Sequence, residues 1–279
     1  MAEWKSLDRM TINGSLRWHS DNFLKSKILY SLGIRWPVIP DRWMLRAHLS
    51  NRYRLPTFND RYWHPGGNLD LLPETGWGTD VGSTLGLLDA GIQHHRLQWQ
   101  FSAHSTWVRN WIQWVPSDGY WSPVNFKEVW ARGIESGLTY SFNQEPLNFR
   151  AVVDYAWTRS AVRSAMPPDL KGTDLRYVPQ HMIRSHLSVA FESFTTSIYY
   201  RYTGPRFTTE DNDPFYRLDP HHTLDLSTGY TLRDQIYSMT FRIKINNILN
   251  EQYQMVRGFP MPGRSFSMGI QFKFSNTAQ

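Results

Sequence analysis

The sequence predicts an all-β protein, an antiparallel transmembrane β-barrel of about twelve strands. Three observations point there. Apolar and polar residues alternate with period two along nearly the whole chain. The connections between the alternating segments are long and short by turns. Tryptophans fall on the apolar phase close to the ends of those segments.

The predicted strands lie near 8–18, 26–36, 42–53, 76–89, 95–114, 127–142, 146–159, 182–192, 195–207, 221–232, 235–247 and 263–274. Each is at or near the length that spans a bilayer as a tilted strand. In the fifth, Leu97, Trp99, Phe101 and Trp107 oppose Gln98, Gln100, His104 and Thr106. In the seventh, Leu147, Phe149, Ala151, Val153, Tyr155 and Trp157 oppose Asn148, Arg150, Asp154 and Thr158. The tenth sets Leu224, Leu226, Tyr230 and Leu232 against Thr223, Asp225, Ser227 and Thr231, and the eleventh sets Met239, Phe241, Ile243 and Ile245 against Thr240, Arg242, Lys244 and Asn246. The last carries Phe266, Met268, Ile270, Phe272 and Phe274 on one side and Ser265, Ser267, Gly269, Gln271 and Lys273 on the other. Period two with one apolar face is the pattern of a strand with a greasy and a wet side.

A soluble β-sandwich shows the same alternation strand by strand, so the connections have to separate the two architectures. Long connections are expected at 54–75, 115–126, 160–181, 208–220 and 248–262, with a shorter one at 19–25 continuing the series, and short ones at 37–41, 90–94, 143–145, 193–194 and 233–234. Outer-membrane barrels alternate short periplasmic turns with long external loops, whereas Greek-key sandwiches do not. Twelve strands would put both ends of the sheet on the short-turn side. Trp18, Trp36, Trp43, Trp77, Trp107, Trp130 and Trp157 then suit the two interfacial belts.

Composition agrees with a barrel. In 279 residues, aromatics make up 15% and charged residues only 19%, and no window holds about 18 consecutive apolar residues, so a transmembrane helix is excluded. There is no cysteine, which rules out disulfides and thiolate metal sites within the chain. The net charge of +6 is scattered singly along alternating segments and forms no basic stripe, so nucleic acid is not expected as a partner. The opening "MAEWKSLDRM" has no apolar run of signal-peptide type.

The stretch "INNILNEQYQMVRGFPMPGRSFSMGIQFKF" resembles the C-terminal signature of TonB-dependent outer-membrane receptors. It carries Asn247-Ile248-Leu249, then Tyr253, then Gly258-Phe259-Pro260-Met261-Pro262-Gly263-Arg264 ahead of the last strand. "NRYRLPTFNDRYWHPGGNLDLLPETG", "NWIQW", "ARGIESGLTYSF" and "YVPQH" are also similar to segments of that family, the first closer to cobalamin-type receptors. The resemblance implies residues 1–279 are the C-terminal portion of a 22-stranded receptor barrel, without plug domain, TonB box or signal peptide. It implies outer-membrane location and uptake of a scarce ligand, cobalamin or a ferric siderophore, with no enzymatic activity and no cofactor. The implied partners are outer-membrane lipid, TonB acting through an N-terminal region, the metal chelate or cobalamin, and the barrel-assembly machinery reading Phe272 and Phe274. The alternative is an autonomous twelve-stranded structural or pore barrel, or a lipase-like enzyme. The outward serines Ser83 and Ser105, however, have no outward histidine at matching height, and no Gly-x-Ser-x-Gly elbow occurs.

The candidate ligand-binding residues sit in the expected external loops: Tyr62, Trp63 and His64; Tyr120 and Trp121; Phe215, Tyr216 and Arg217; and Arg257. Aromatic and guanidinium side chains suit a large planar or anionic ligand, and equally an aromatic girdle. His221-His222 with Asp219, and His94-His95, invite a metal reading. Adjacent residues of a strand point to opposite faces, so a rim role is expected and no metal site. Arg17, Arg46, Arg52, Asp80, Glu135, Asp154, Arg242 and Lys244 fall on the wet phase and are expected to line the interior. Pro260 and Pro262 lack a donor and should hold 258–264 as loop, with Gly263 turning the chain into the last strand.

Overall fold

The structure, a computed structural model, describes residues 2–6, 10–20, 26–88, 94–117, 119–165 and 168–274. Positions 8–9 of the first expected strand and 89 of the fourth, 21–25, 90–93, 118 and 166–167 in the expected connections, and the tail after Phe274 lie outside the described residues.

One antiparallel sheet takes up nearly every strand in chain order. Its members are β1 (Ala2–Ser6), β2 (Met10–His19), β3 (Lys27–Ile39), β4 (Trp43–Arg54), β5 (Glu74–Leu88), β6 (His95–Ser117), β7 (Tyr120–Gln144) and β8 (Leu147–Ala165), then β9 (His181–Phe191), β10 (Phe194–Thr203), β11 (His221–Arg233), β12 (Tyr237–Asn246) and β15 (Ser265–Phe274). Strands β13 (Gln254–Val256) and β14 (Phe259–Pro260) make a separate two-stranded ribbon inside the last long connection. In the main sheet each strand pairs only with its sequence neighbours, and β1 and β15 stand at opposite edges, so the barrel is not closed.

The alternation maps onto two faces. Ile28, Tyr30, Leu32, Ile34 and Trp36 of β3 are all exposed, as are Phe266, Met268, Ile270, Phe272 and Phe274 of β15. Large apolar side chains this open to the surroundings belong against hydrocarbon. At the short-turn end, register stacks aromatics across neighbouring strands: Phe142 opposite Phe149, Phe191 opposite Phe194, Phe194 opposite Tyr230, and Tyr237 opposite Phe274. Phe272 and Phe274 thus complete a girdle that begins at Trp36 and Trp43. A second row, Trp77–Trp107–Trp130, runs across β5, β6 and β7 toward the other end.

Three indole N–H groups on this face find partners in the adjacent strand. Trp43 donates to Ser83 Oγ (3.0 Å), Trp99 to Ser136 Oγ (2.9 Å) and Trp130 to Ser105 Oγ (2.8 Å). The outward serines are therefore acceptors for tryptophan, which would otherwise carry an unpaired donor in an apolar setting.

Several expectations are corrected. The sheet has a strand before the first expected one: β1 pairs with β2, Ser6 opposite Met10 and Ala2 opposite Gly14, so Ala2 lies at mid-height of β2 rather than at the short-turn end. Residues 115–117 and 120–126 are not a loop but the upper part of a β6–β7 hairpin, running to Ser117 opposite Tyr120. β8 continues to Ala165, which shortens the next connection to 166–180. Strong pairing propensity carried these strands past the girdle, where polar residues such as Gln113, Asn125 and Lys127 break the alternation used to find their ends. Pro260 is paired too: it opposes Gln254, a position where the missing N–H costs nothing because the ribbon is only two strands wide. Gly263 is needed for close approach rather than for a turn. A Cβ there would lie 2.8 Å from Asn250 Oδ1, while the left-handed backbone falls at Gly258, φ +84°.

Candidate functional site

The interior face is built on a size alternation between adjoining strands. Arg52 lies over Gly78, Arg46 over Gly82, His104 over Gly133 and Asp154 over Gly137, each so close that a Cβ on the glycine would clash. Arg46, Arg52 and Asp154 thus sit on the inner wall as expected, and Asp80 meets His48 at 3.4 Å. Near the short turns, Arg35, Arg42, Arg46 and Arg96, together with Ile39 and Met44, line a cavity of about 750 Å³.

At the opposite end the connections are folded against one another, and the β6–β7 hairpin is their post. Above Val108–Val129, a one-residue bulge enters β6 with Asn110 at φ +57° and is cancelled by a second in β7. The bulges set asparagines where they staple the 55–73 connection. Asn125 accepts from Leu72 N (2.7 Å) and donates to Leu72 O (2.9 Å) and Asn110 O (2.8 Å), and Asn68 Nδ2 donates to Pro123 O (3.0 Å). Glu74, buried, is gripped by the Arg54 guanidinium (Nε to Oε2, 2.7 Å) and accepts from Ile112 N (2.9 Å).

Within that connection, Phe58–Tyr62 forms a helical turn closed by a capping box: Thr57 Oγ1 accepts from Asp60 N, and Asp60 Oδ2 accepts from Thr57 N. The remaining Asp60 oxygen accepts from the Trp114 indole at 2.9 Å, so a buried carboxylate on the turn is satisfied by the hairpin. Gly66 and Gly67 permit the docking. A Cβ on Gly66 would run into the Trp121 carbonyl oxygen, and one on Gly67 would fall 2.6 Å from the Arg61 carbonyl oxygen.

The other flank of the hairpin holds the next two connections. Lys127, whose side chain has no exposed surface, and Gln113 both bond to Glu210 of the 204–220 connection, and Arg176 Nε of the 166–180 connection reaches Glu210 at 2.5 Å. Asn212 and Asp174 exchange bonds (Asp174 N to Asn212 Oδ1, 2.6 Å; Asn212 Nδ2 to Asp174 O, 2.9 Å), joining the same two connections. From there, buried Arg206 donates to Gln254 O (2.8 Å), and His221 stacks on Tyr253, ring centroids 4.3 Å apart. Burial lowers the pKa of the Arg206 guanidinium. It remains a cation at any physiological pH because the reference lies so high.

The last connection is knotted by the Asn-Ile-Leu element. Asn247, buried and at φ +50°, gives its N–H to Asp225 Oδ1 (2.8 Å), accepts from Glu251 N (3.0 Å) and donates to Glu251 O (3.0 Å). Asn250 Oδ1 accepts from Arg264 N (3.0 Å), which fixes Gly263-Arg264 at the entry to β15.

This layer brings the sequence-predicted candidates into two groups. Tyr62, Trp63 and His64 ride on the connection that packs, through Gly66, against Tyr120 and Trp121; Tyr62, Trp63, Tyr120 and Trp121 are all exposed. Tyr216 and Arg257 meet directly, with the guanidinium 4.5 Å from the Tyr216 ring centroid and Arg257 Nη1 donating to Phe215 O (3.3 Å). Arg217 is exposed beside them, and its N–H closes the turn on Pro214 O. Among the described residues no cluster of His, Asp and Glu is arranged to hold a metal ion: His221 is buried against Tyr253 while His222 is exposed, and His95 Nδ1 sits 2.7 Å from Tyr140 OH. The residues that sequence reasoning missed are Arg206, Glu210 and Lys127.

A meander apolar on one face, polar on the other and gathered at one end under its long connections is the wall of an outer-membrane β-barrel. Residues 1–248 match the family model described as TonB dependent receptor-like, beta-barrel, and the chain belongs to that family, whose members lie in the outer membrane of Gram-negative bacteria. Vitamin B12 transporter BtuB of Vibrio cholerae serotype O1 is 24% identical over 277 residues, 98% of this chain and 41% of the relative. The BtuB of Photobacterium profundum is 24% identical over 235 residues, 82% of this chain and 35% of its own length. The fold is similar to that of the copper transporter OprC (TM-score 0.73, 15% identity, 98% of this chain and 46% of that one). It is also similar to that of the ferric yersiniabactin uptake receptor FyuA from Yersinia pestis (TM-score 0.71, 16% identity, 97% and 44%). The chain spans about two fifths of the length of the curated relatives it matches.

Proposed function

We propose that these residues form part of a receptor that captures a scarce metal chelate outside the outer membrane and imports it with energy delivered by TonB, the ligand being cobalamin. The observation that carries the reading is the family match, together with cobalamin transporters similar along 98% of the chain. The Tyr216–Arg257 pair and the Trp63, Tyr120 and Trp121 group supply aromatic and cationic surface suited to a large planar ligand with anionic or carbonyl edges. Ligand bound there would rest on a layer made rigid by buried polar bonds, which lowers the ordering cost of capture. Release inward would be driven by TonB through another part of the receptor.

The reading is transport rather than catalysis. Ser83 and Ser105, the serines a lipase-like wall would need, are engaged by Trp43 and Trp130.

The test is uptake of labelled cobalamin by cells whose own cobalamin receptor is deleted and which carry this protein, with and without TonB. TonB-dependent accumulation is expected. Accumulation of ferric siderophore in place of cobalamin would move the assignment to iron, and TonB-independent leakage of both would support a simple pore instead.

A further inference from the structure

On the outward face of β7 and β8, Arg132 and Arg159 are direct register partners. That face elsewhere carries Ile134, Leu138 and Val153, all exposed. Two like charges set directly opposite repel, and a bare arginine on a lipid-facing wall is costly in proportion to its depth. A third guanidinium joins them. The Arg132 and Arg163 Cζ atoms lie 3.9 and 4.2 Å from the Trp130 ring centroid, so one indole orients two cations. Trp130 belongs to the Trp77–Trp107–Trp130 row, which marks the level where lipid headgroups begin.

The nearby carboxylates are already engaged at the margins. Glu128 faces Arg109 at 3.5 Å, and Asp174 takes the Nε of Arg159 at 3.1 Å. Among the described residues neither Arg132 nor Arg163 has an ion-pair partner.

We propose that Arg132, Arg159 and Arg163 form a seat on the outer wall for the phosphorylated headgroup of an outer-leaflet glycolipid. Guanidinium pairs bind phosphate bidentately, which relieves their mutual repulsion and neutralises charge that would otherwise face hydrocarbon. The next pair in the sheet, Ile134 opposite Trp157, continues the wall as an apolar track on which an acyl chain of the same lipid can lie. The seat would anchor β8 and, through the Arg159–Asp174 bond, the 166–180 connection.

The experiment uses protein extracted from its outer membrane in mild detergent and reads bound lipid by native mass spectrometry. The probes are a phosphorylated outer-membrane glycolipid and its dephosphorylated form at equal concentration. The wild-type protein should retain the phosphorylated form at least fivefold better. The pair Arg132→Gln with Arg163→Gln should lose that preference, while Arg233→Gln with Lys273→Gln, the same charge change at the short-turn end, should keep it. Arg163→Gln alone, at an exposed position, carries the test if the pair fails to assemble. Equal binding of both lipids by the wild type, an unchanged preference in the Arg132/Arg163 variants, or an equal loss in the control pair would overturn the proposal.

Discussion

Glu210, on the connection between β10 and β11, accepts a hydrogen bond from the wholly buried ammonium of Lys127 on β7. The same carboxylate holds Arg176 of the neighbouring connection. One acidic side chain therefore ties two long connections to the hairpin. Removing it in Glu210→Ala takes the carboxylate away from a buried ammonium, a change that costs about 3–5 kcal/mol. Hydrogen exchange at 166–180 and 204–220 should quicken sharply, while the strands below the girdle stay protected. Lys127→Met added to Glu210→Ala should recover most of the loss, because the wholly buried cation is then gone and Arg176 is partly open to solvent.

Gly66→Ala should weaken the docking of the 55–73 connection. Its Cβ would run into the Trp121 carbonyl oxygen, and backbone on both sides would have to give. A cost of about 1–3 kcal/mol is expected from such overpacking. Limited proteolysis within 55–73 is the readout, and ligand affinity should fall with it, since Trp63 and Trp121 would lose their common frame.

The face assignment has its own test. Phe241→Arg or Ile243→Arg places a charge on the lipid side of β12 and should cost about 2–4 kcal/mol in urea unfolding from lipid vesicles. Arg242→Leu lies on the inner side, opposite Gly269, and should cost little. The reverse order would mean that the register is shifted by one residue.

Asn247→Ala removes the acceptor for Glu251 N and the donor to Glu251 O from a buried position. Each group left unsatisfied costs about 1–3 kcal/mol. Disorder should be confined to 247–264, seen as loss of protection there, with the β12–β15 pairing kept.

Most of the wall was legible because period two is a local signal and lipid makes it strict. A residue such as Ile243 has to be apolar whatever lies elsewhere in the chain. The upper hairpin was not legible, since Gln113, Asn125 and Lys127 are polar for the sake of partners far off in sequence. Lys127 and Glu210 are joined only once the 204–220 connection has folded onto the hairpin. The aromatic candidates were found by type, but type could not pair them. That Arg257 meets Tyr216 rather than the Trp63–Trp121 group depends on the knot at Asn247 and the bond from Arg206 to Gln254. The glycines at 78, 82, 133 and 137 stand in plain sight in the sequence, yet their reason lies on the neighbouring strand or in the side chain above them.

The central claim is that the long-connection end faces the cell exterior and receives the ligand there. Because the chain contributes no cysteine, a single introduced thiol reports on its own position. The most direct measurement is the rate at which a membrane-impermeant maleimide labels Tyr216→Cys in intact cells, with Glu145→Cys in the β7–β8 turn as its counterpart. The account predicts rapid labelling of Tyr216→Cys, slowed by added cobalamin, and no labelling of Glu145→Cys until the outer membrane is permeabilised. Labelling of Glu145→Cys in intact cells, with Tyr216→Cys protected, would contradict it.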